Sequence, residues 1–146
     1  MIAWGKIEHF TRAEFQDPRY GPESGDLIDG ALLALIVRLR IETGWPMVTH
    51  WAVGGAVDVD GAHGHAERSY HLKTMGCKAV DFHFVTEASV RMQYYEVARA
   101  GFSGVGFYPE WAWNGRITPG FHVDSRPKDR TQRWNHPLVQ AFITVR

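Results

Sequence analysis

A single cysteine, Cys77, is all the thiol chemistry this chain has, so no internal disulfide can staple its fold. Its redox compartment is equally unmarked. Charge of one sign is missing too. Sixteen basic against sixteen acidic residues argue against long-range capture of nucleic acid or an anionic membrane. No long apolar run exists: the longest, Ala31 to Val37, falls far short of the roughly 20 residues a bilayer span needs. Met1 to His9 lacks a basic segment followed by an apolar one, which predicts no secretory signal. Internal repeats, low-complexity tracts and interdomain linkers are absent, which predicts one domain over residues 1–146.

What is there fits a soluble globular chain: 45% apolar and 22% charged residues, with enough length to bury a substantial core. Pro18, Gly21, Pro22 and Gly25 mark a loop. A helix is predicted after it, capped by Ser24 or Asp26, with Asp29 in its first turn and Gly44 and Pro46 closing it. Leu27, Ala31, Leu35 and Leu39 form its apolar stripe, widened by Ile28, Leu32 and Ile36. Met47 to Val53 reads as a strand broken by Gly54-Gly55, and Asp58 to Ser69 as a polar loop. From Lys78 to Val85, Ala79, Asp81, His83 and Val85 alternate with Val80, Phe82 and Phe84, the signature of a strand with one apolar face. Thr86 is placed to cap a second helix with Val90, Tyr94, Val97 and Ala98 inward, ending at Gly101. Short strands are expected at 105–108 and 121–124, a loop over 127–137, and a strand or helical turn over 138–145. The fold class is α+β: a small antiparallel sheet with helices packed on one side.

Two residues stand out chemically. Asp81 interrupts a strand of Val, Phe and Ala, and a carboxylate in such surroundings is costly unless paired or metal-bound. His122 sits between Phe121 and Val123 in another apolar strand. Each alone has a structural explanation. Their order along the chain adds more: Ser69-Tyr-His71, then Gly76, then Ala79-Val-Asp81, and later Gly120-Phe-His122-Val-Asp124.

That order resembles the zinc peptidases of the M15 family, which includes D-alanyl-D-alanine carboxypeptidases and phage peptidoglycan endopeptidases. Phe10-Thr-Arg-Ala-Glu-Phe15, Leu27 to Arg40, Gly104-Val-Gly106-Phe-Tyr108-Pro109 and Arg133-Trp134 extend the likeness over most of the chain. The resemblance implies a DD-peptidase-like or hedgehog-like fold and a zinc ion held by His71, Asp81 and His122. Two imidazoles and a carboxylate leave a fourth position for water. It further implies hydrolysis of an amide bond in peptidoglycan stem peptides or cross-links by a zinc-activated water.

Departures from the family pattern are visible. Nine residues separate His71 from Asp81 where six are usual, and the surplus falls in Leu72 to Lys78. The arginine expected near Val48 to Ala52 is missing, leaving His50 or Arg68 to face the substrate carbonyl. Pro119 occupies the place of an acid three residues before the last histidine, so Asp124 or Glu110 becomes the candidate base. Asp124 is equally suited to orient a ligand imidazole. Ser69 and Tyr108 are further candidate substrate contacts, and Tyr70, Trp111 and Trp113 candidate groove residues. Cys77, between two ligands, is weighed as a ligand against a buried thiol. His50…Gly55-Ala-Val-Asp58 imitates the first motif but lacks its serine, and His63-Gly-His65 imitates a ligand pair in what reads as a surface loop.

Two function classes follow. One is a zinc peptidase of the phage endolysin type, monomeric, synthesised in the cytoplasm and acting on the wall after release or from a phage particle. The other is a non-catalytic cell-wall-binding or phage structural module that retains the fold.

Overall fold

Alternation of large apolar side chains with small or polar ones makes Ala79–Phe84 (β2) a strand with two unlike faces. The computed structural model, which describes residues 1–135, sets β2 inside a five-stranded sheet. The other strands are Met47–Thr49 (β1), Gly104–Tyr108 (β3), Gly120–Asp124 (β6) and Gln132–Asn135 (β7), in the order β1-β2-β6-β3-β7. A separate hairpin pairs Ala112–Trp113 (β4) with Arg116–Ile117 (β5).

The β1-β2, β2-β6 and β6-β3 pairings are antiparallel, while β7 joins β3 in parallel. The sheet is therefore mixed rather than purely antiparallel. The predicted loop over 127–137 holds a 3-10 turn at Lys128–Arg130 and then β7. Charged and polar Gln132 and Arg133 hid that strand. Arg133 holds it by donating to the carbonyls of Ser103 and Phe102, 2.9 and 2.8 Å. The expected element over 138–145 lies outside the described residues.

One sheet face is apolar. Val80, Phe82, Phe121, Val123, Val105 and Phe107 are buried there against Leu32, Ile36, Leu39, Tyr94 and Val97 of the two helices. Helices thus cover one side, and the opposite face is left for polar chemistry.

The first helix is Gly30–Thr43 (α1), shorter than its sequence pattern. Asp29 is the N-cap, accepting from the Leu32 N–H at 3.0 Å. Ser24 and Asp26 are otherwise engaged: Ser24 bonds the Asp17 N–H, and Asp26 accepts from Trp4 Nε1 and Arg12. Residues Pro22–Leu27 form a 3-10 helix instead. The buried stripe accordingly moves to Leu32, Leu33, Ile36 and Leu39, with Leu27 and Ala31 exposed. The second helix is Val90–Arg99 (α2), capped by Ser89 because Thr86 Oγ1 is taken by the Ala88 N–H. Its inward Tyr94 and Val97 agree with the sequence pattern. β1 ends at Thr49, and residues 51–53 turn back as a 3-10 helix closed by Gly54 at φ 84°.

Candidate metal centre

The polar face of the sheet gathers the site. Register places Asp81 opposite His122, and His122 opposite Gly106. Side chains at 81 on β2 and 122 on β6 therefore stand side by side. His71 comes from outside the sheet. The nine-residue spacer closes on itself before β2: the Lys78 N–H donates to the Tyr70 carbonyl at 2.7 Å, and the Cys77 N–H to the Leu72 carbonyl at 3.1 Å. Gly76 (φ 91°) and Cys77 (φ 49°) supply the left-handed turn this closure requires. The surplus residues thus leave His71 beside the strand end.

The three side chains converge. His71 Nε2 lies 3.2 Å and His122 Nδ1 2.9 Å from the same oxygen, Asp81 Oδ1. Around a tetrahedral ion with ligands at roughly 2.0–2.1 Å, neighbouring donor atoms stand about 3.3 Å apart. All the donor atoms of this trio lie within 4.8 Å of one another.

Each ring is oriented by its other nitrogen. His71 Nδ1 is 2.9 Å from the Ala56 carbonyl, an acceptor only, so Nδ1 carries a proton and Nε2 is the nitrogen turned toward Asp81. His122 Nε2 is 2.9 Å from Asp124 Oδ2, which leaves Nδ1 to face Asp81. The serine of the first motif, Ser69, accepts from the His71 N–H at 3.3 Å and steadies that turn.

Charge around His122 follows from this geometry. Burial opposes its protonation, but hydrogen bonds to Asp124 and Asp81 outweigh that and raise its pKa to about 9. Burial works against the charge of Asp81 as well, yet the facing imidazoles of His71 and His122 hold its carboxyl well below the ordinary range. Asp124 is fully buried; Arg126 and His122 together outweigh its desolvation and hold it ionised. Arg126 grips it with Nε on Oδ1 at 2.8 Å and Nη2 on Oδ2 at 2.6 Å, while its backbone N–H reaches Oδ1 at 3.2 Å. Both Asp124 oxygens are thus occupied. The arrangement suits holding a ligand ring, and leaves Asp124 no free edge with which to take a proton from water.

Other predicted site residues distribute unevenly. A cleft of about 370 Å³ opens over the trio, lined among others by Arg68, Ser69, Tyr70 and Tyr108. Tyr108 stacks on Trp111 at 4.3 Å and accepts from Trp134 Nε1 at 2.8 Å. His50 faces a neighbouring cleft of about 240 Å³ with Trp111 and Trp113. Its Nε2 is 2.8 Å from His83 Nδ1, and burial together with His83 pushes its pKa down to about 4. A neutral, nearly buried imidazole is a poor replacement for an arginine. Glu110 is exposed on the turn after β3 and lines neither cleft. Cys77 is a buried thiol pushed up to about 11 by desolvation, and joins neither candidate metal group.

The loop over 58–69 is more ordered than its composition suggests. His65 stacks on His71 at 4.3 Å, 8° from parallel, and its Nδ1 is 2.8 Å from buried Asp58. His63 Nε2 pairs with buried Asp17 at 2.8 Å. Asp17, Asp58 and His63 form a second group able to hold a cation. Backbone N–H groups of Val59, Arg19 and Gly61 already satisfy its carboxylates, so these contacts lock the loop. Sequence reasoning missed Asp17, whose partners Val59 and His63 lie more than forty residues away. Arg126 was missed too, although it follows the second motif at the same two-residue step as Asp124 from His122.

The described chain therefore carries buried His/Asp groups competent to bind a metal ion. Among its described residues no helix is long and apolar enough to cross a membrane. Comparison with known protein families, curated proteins and solved structures finds no match to this chain.

Proposed function

We propose that the protein is a zinc-dependent peptidase that hydrolyses an amide bond in peptidoglycan peptides. One observation carries the reading: His71 Nε2 and His122 Nδ1 converge on Asp81 Oδ1, each ring held from behind by a hydrogen-bond acceptor. The donor set fits zinc, with two imidazole nitrogens, one carboxylate oxygen, and a cleft where a fourth ligand would stand. A zinc ion bound there would supply Lewis acidity and lower the pKa of a water from about 15.7 to roughly 7. His71, Asp81 and His122 would hold it, while Asp124 and Arg126 fix the angle of His122. Tyr70, Tyr108 and Trp134 wall the cleft. The substrate class comes from the M15 resemblance of Ser69-x-His71, Gly76, Ala79-x-Asp81 and His122-x-Asp124.

The second reading, a wall-binding or phage structural module, is favoured by a specific feature. Asp81, itself a ligand, is the one carboxylate lining either cleft among the described residues, and no arginine occupies the family's place. The test is incubation of purified protein with cell-wall material, with and without chelator, reading released amino groups and metal content. Zinc-dependent release supports the peptidase. Hydrolysis that persists after complete zinc removal excludes it, and zinc-loaded protein that binds the wall without cutting it supports the second reading.

A further inference from the structure

Asp81 and His65 line both clefts, and the sheet strands that bring other lining residues stand on both flanks of the Asp81 strand. Strand order shows why. His50 follows β1, on one flank of β2, whereas His122 on β6, Tyr108 on β3 and Trp134 on β7 lie successively further out on the other flank. The two spaces together make a trough across the sheet with the trio near its middle.

Its arms differ chemically. The wider arm carries two guanidinium groups. Arg126 is committed to Asp124, but Arg68 is exposed and has no ion-pair partner among the described residues. The narrower arm has no charged side chain besides Asp81. Its walls are Trp111, Trp113 and Val53, and its floor is the bare backbone of Gly54 and Gly55. A Cβ at Gly55 would stand 3.1 Å from Asp81 Cβ and 2.7 Å from His50 Cβ, so this close approach of His50 to Asp81 requires glycine. Trp113 is held by stacking on His50 at 4.8 Å and 16°, with its hairpin reaching over the sheet.

Resting on the peptidase reading, we infer that this trough binds an extended peptide across the metal centre and that the protein cuts an internal amide, with a carboxylate-bearing portion of the substrate beside Arg68 and an uncharged portion against Trp113. An enzyme that trims one terminal residue needs its site closed just beyond the scissile bond. Here clefts of about 240 Å³ and about 370 Å³ both open on Asp81. The reaction is hydrolysis: the water oxygen bonds to the carbonyl carbon, the C–N bond breaks, and the departing nitrogen takes a proton from that water.

The experiment uses zinc-loaded full-length protein on two purified sets of wall peptides, monomeric stem peptides and cross-linked dimers, with products read by mass spectrometry. The expected result is cleavage inside the chain or cross-link, with kcat/KM at least tenfold above that for loss of one terminal residue. Trp113→Ala should shrink that ratio at least fivefold, and Trp113→Phe should restore most of it; thermal melts of both variants verify folding. Removal of a single terminal residue at equal or better efficiency overturns the inference while leaving the peptidase reading intact. So does a folded Trp113→Ala variant with an unchanged ratio. Absence of any cleavage by zinc-loaded protein sinks the peptidase reading, and this inference with it.

Discussion

His122 sits between two carboxylates, and a proton or a metal ion can satisfy that position, but not both at Nδ1. Without metal, its pKa of about 9 against an unfolded value of 6.5 means that His122 takes up a proton on folding at neutral pH. That contribution to stability is fully present below about pH 6.5 and is lost as pH rises through about 9. Metal binding must expel this proton, so zinc affinity should climb close to tenfold per pH unit between 6.5 and 9 and then level. Calorimetric titration near pH 7.5 in buffers of different ionisation enthalpy should register about one proton released per zinc. Release of none would show that Nδ1 is not a ligand. Asp124→Asn removes one of the two carboxylate charges facing the ring and weakens the hydrogen bond that orients it, so zinc affinity should fall roughly 10–100-fold. An unchanged affinity would remove Asp124 from the account. At this scale the sequence was informative where chemistry was local: a carboxylate among apolar strand residues marked Asp81, and an ordered motif marked His71 and His122. It was silent where partners come from the tertiary fold. Nothing near His65 signals its stack on His71 or its bond to Asp58.

Among the elements, β3 shows how a strand with little side-chain bulk supports the site. Gly104 and Gly106 lie directly beneath the Asp124 carboxylate and the Trp134 ring, and a Cβ on either would collide with them. The Gly-x-Gly spacing puts both on the polar face, where absence of a side chain is the functional property. Gly104→Ala should therefore displace Asp124, lower zinc affinity by at least tenfold and destabilise the fold by about 1–3 kcal/mol, as overpacking does. Equilibrium unfolding and zinc titration of this variant check both numbers, and wild-type affinity would contradict the placement. At the start of α1, Asp29 caps the helix and also accepts from Ser125 Oγ at 2.8 Å and Lys78 Nζ at 3.1 Å. Asp29→Ala should cost about 1–2 kcal/mol in a denaturant melt, the usual loss for a cap and more than a surface substitution causes. The helix was legible from its apolar pattern, whereas its first residue was not. Ser24 and Asp26 have the right residue types, and their tertiary hydrogen bonds disqualified them. β2, β3, β6 and α2 were readable because period and burial coincide there. β7 was not, since a strand of Gln, Arg, Trp and Asn has no apolar alternation to detect.

For the molecule as a whole, a metal at this centre would tie β2 and β6 to the His71 turn, three segments that meet only in the folded state. A ligand bound to the native state alone stabilises it by mass action, about 2.7 kcal/mol at one hundred times Kd. For a chain of this length that is roughly 5–11 °C in Tm. Zinc should raise the melting temperature by that amount, chelator should reverse it, and His122→Ala should abolish the response. A shift that survives His122→Ala would point to the Asp17, Asp58 and His63 group instead. Helices on one sheet face and polar side chains on the other explain why a chain of net zero charge can concentrate histidines and carboxylates in one place without losing its core. The most direct measurement is anomalous diffraction at the zinc absorption edge from crystals of the zinc-loaded protein. One strong peak is expected within bonding distance of His71 Nε2, Asp81 Oδ1 and His122 Nδ1, with its open side toward the Arg68 cleft. A peak elsewhere, or none at these three atoms under saturating zinc, would contradict that expectation.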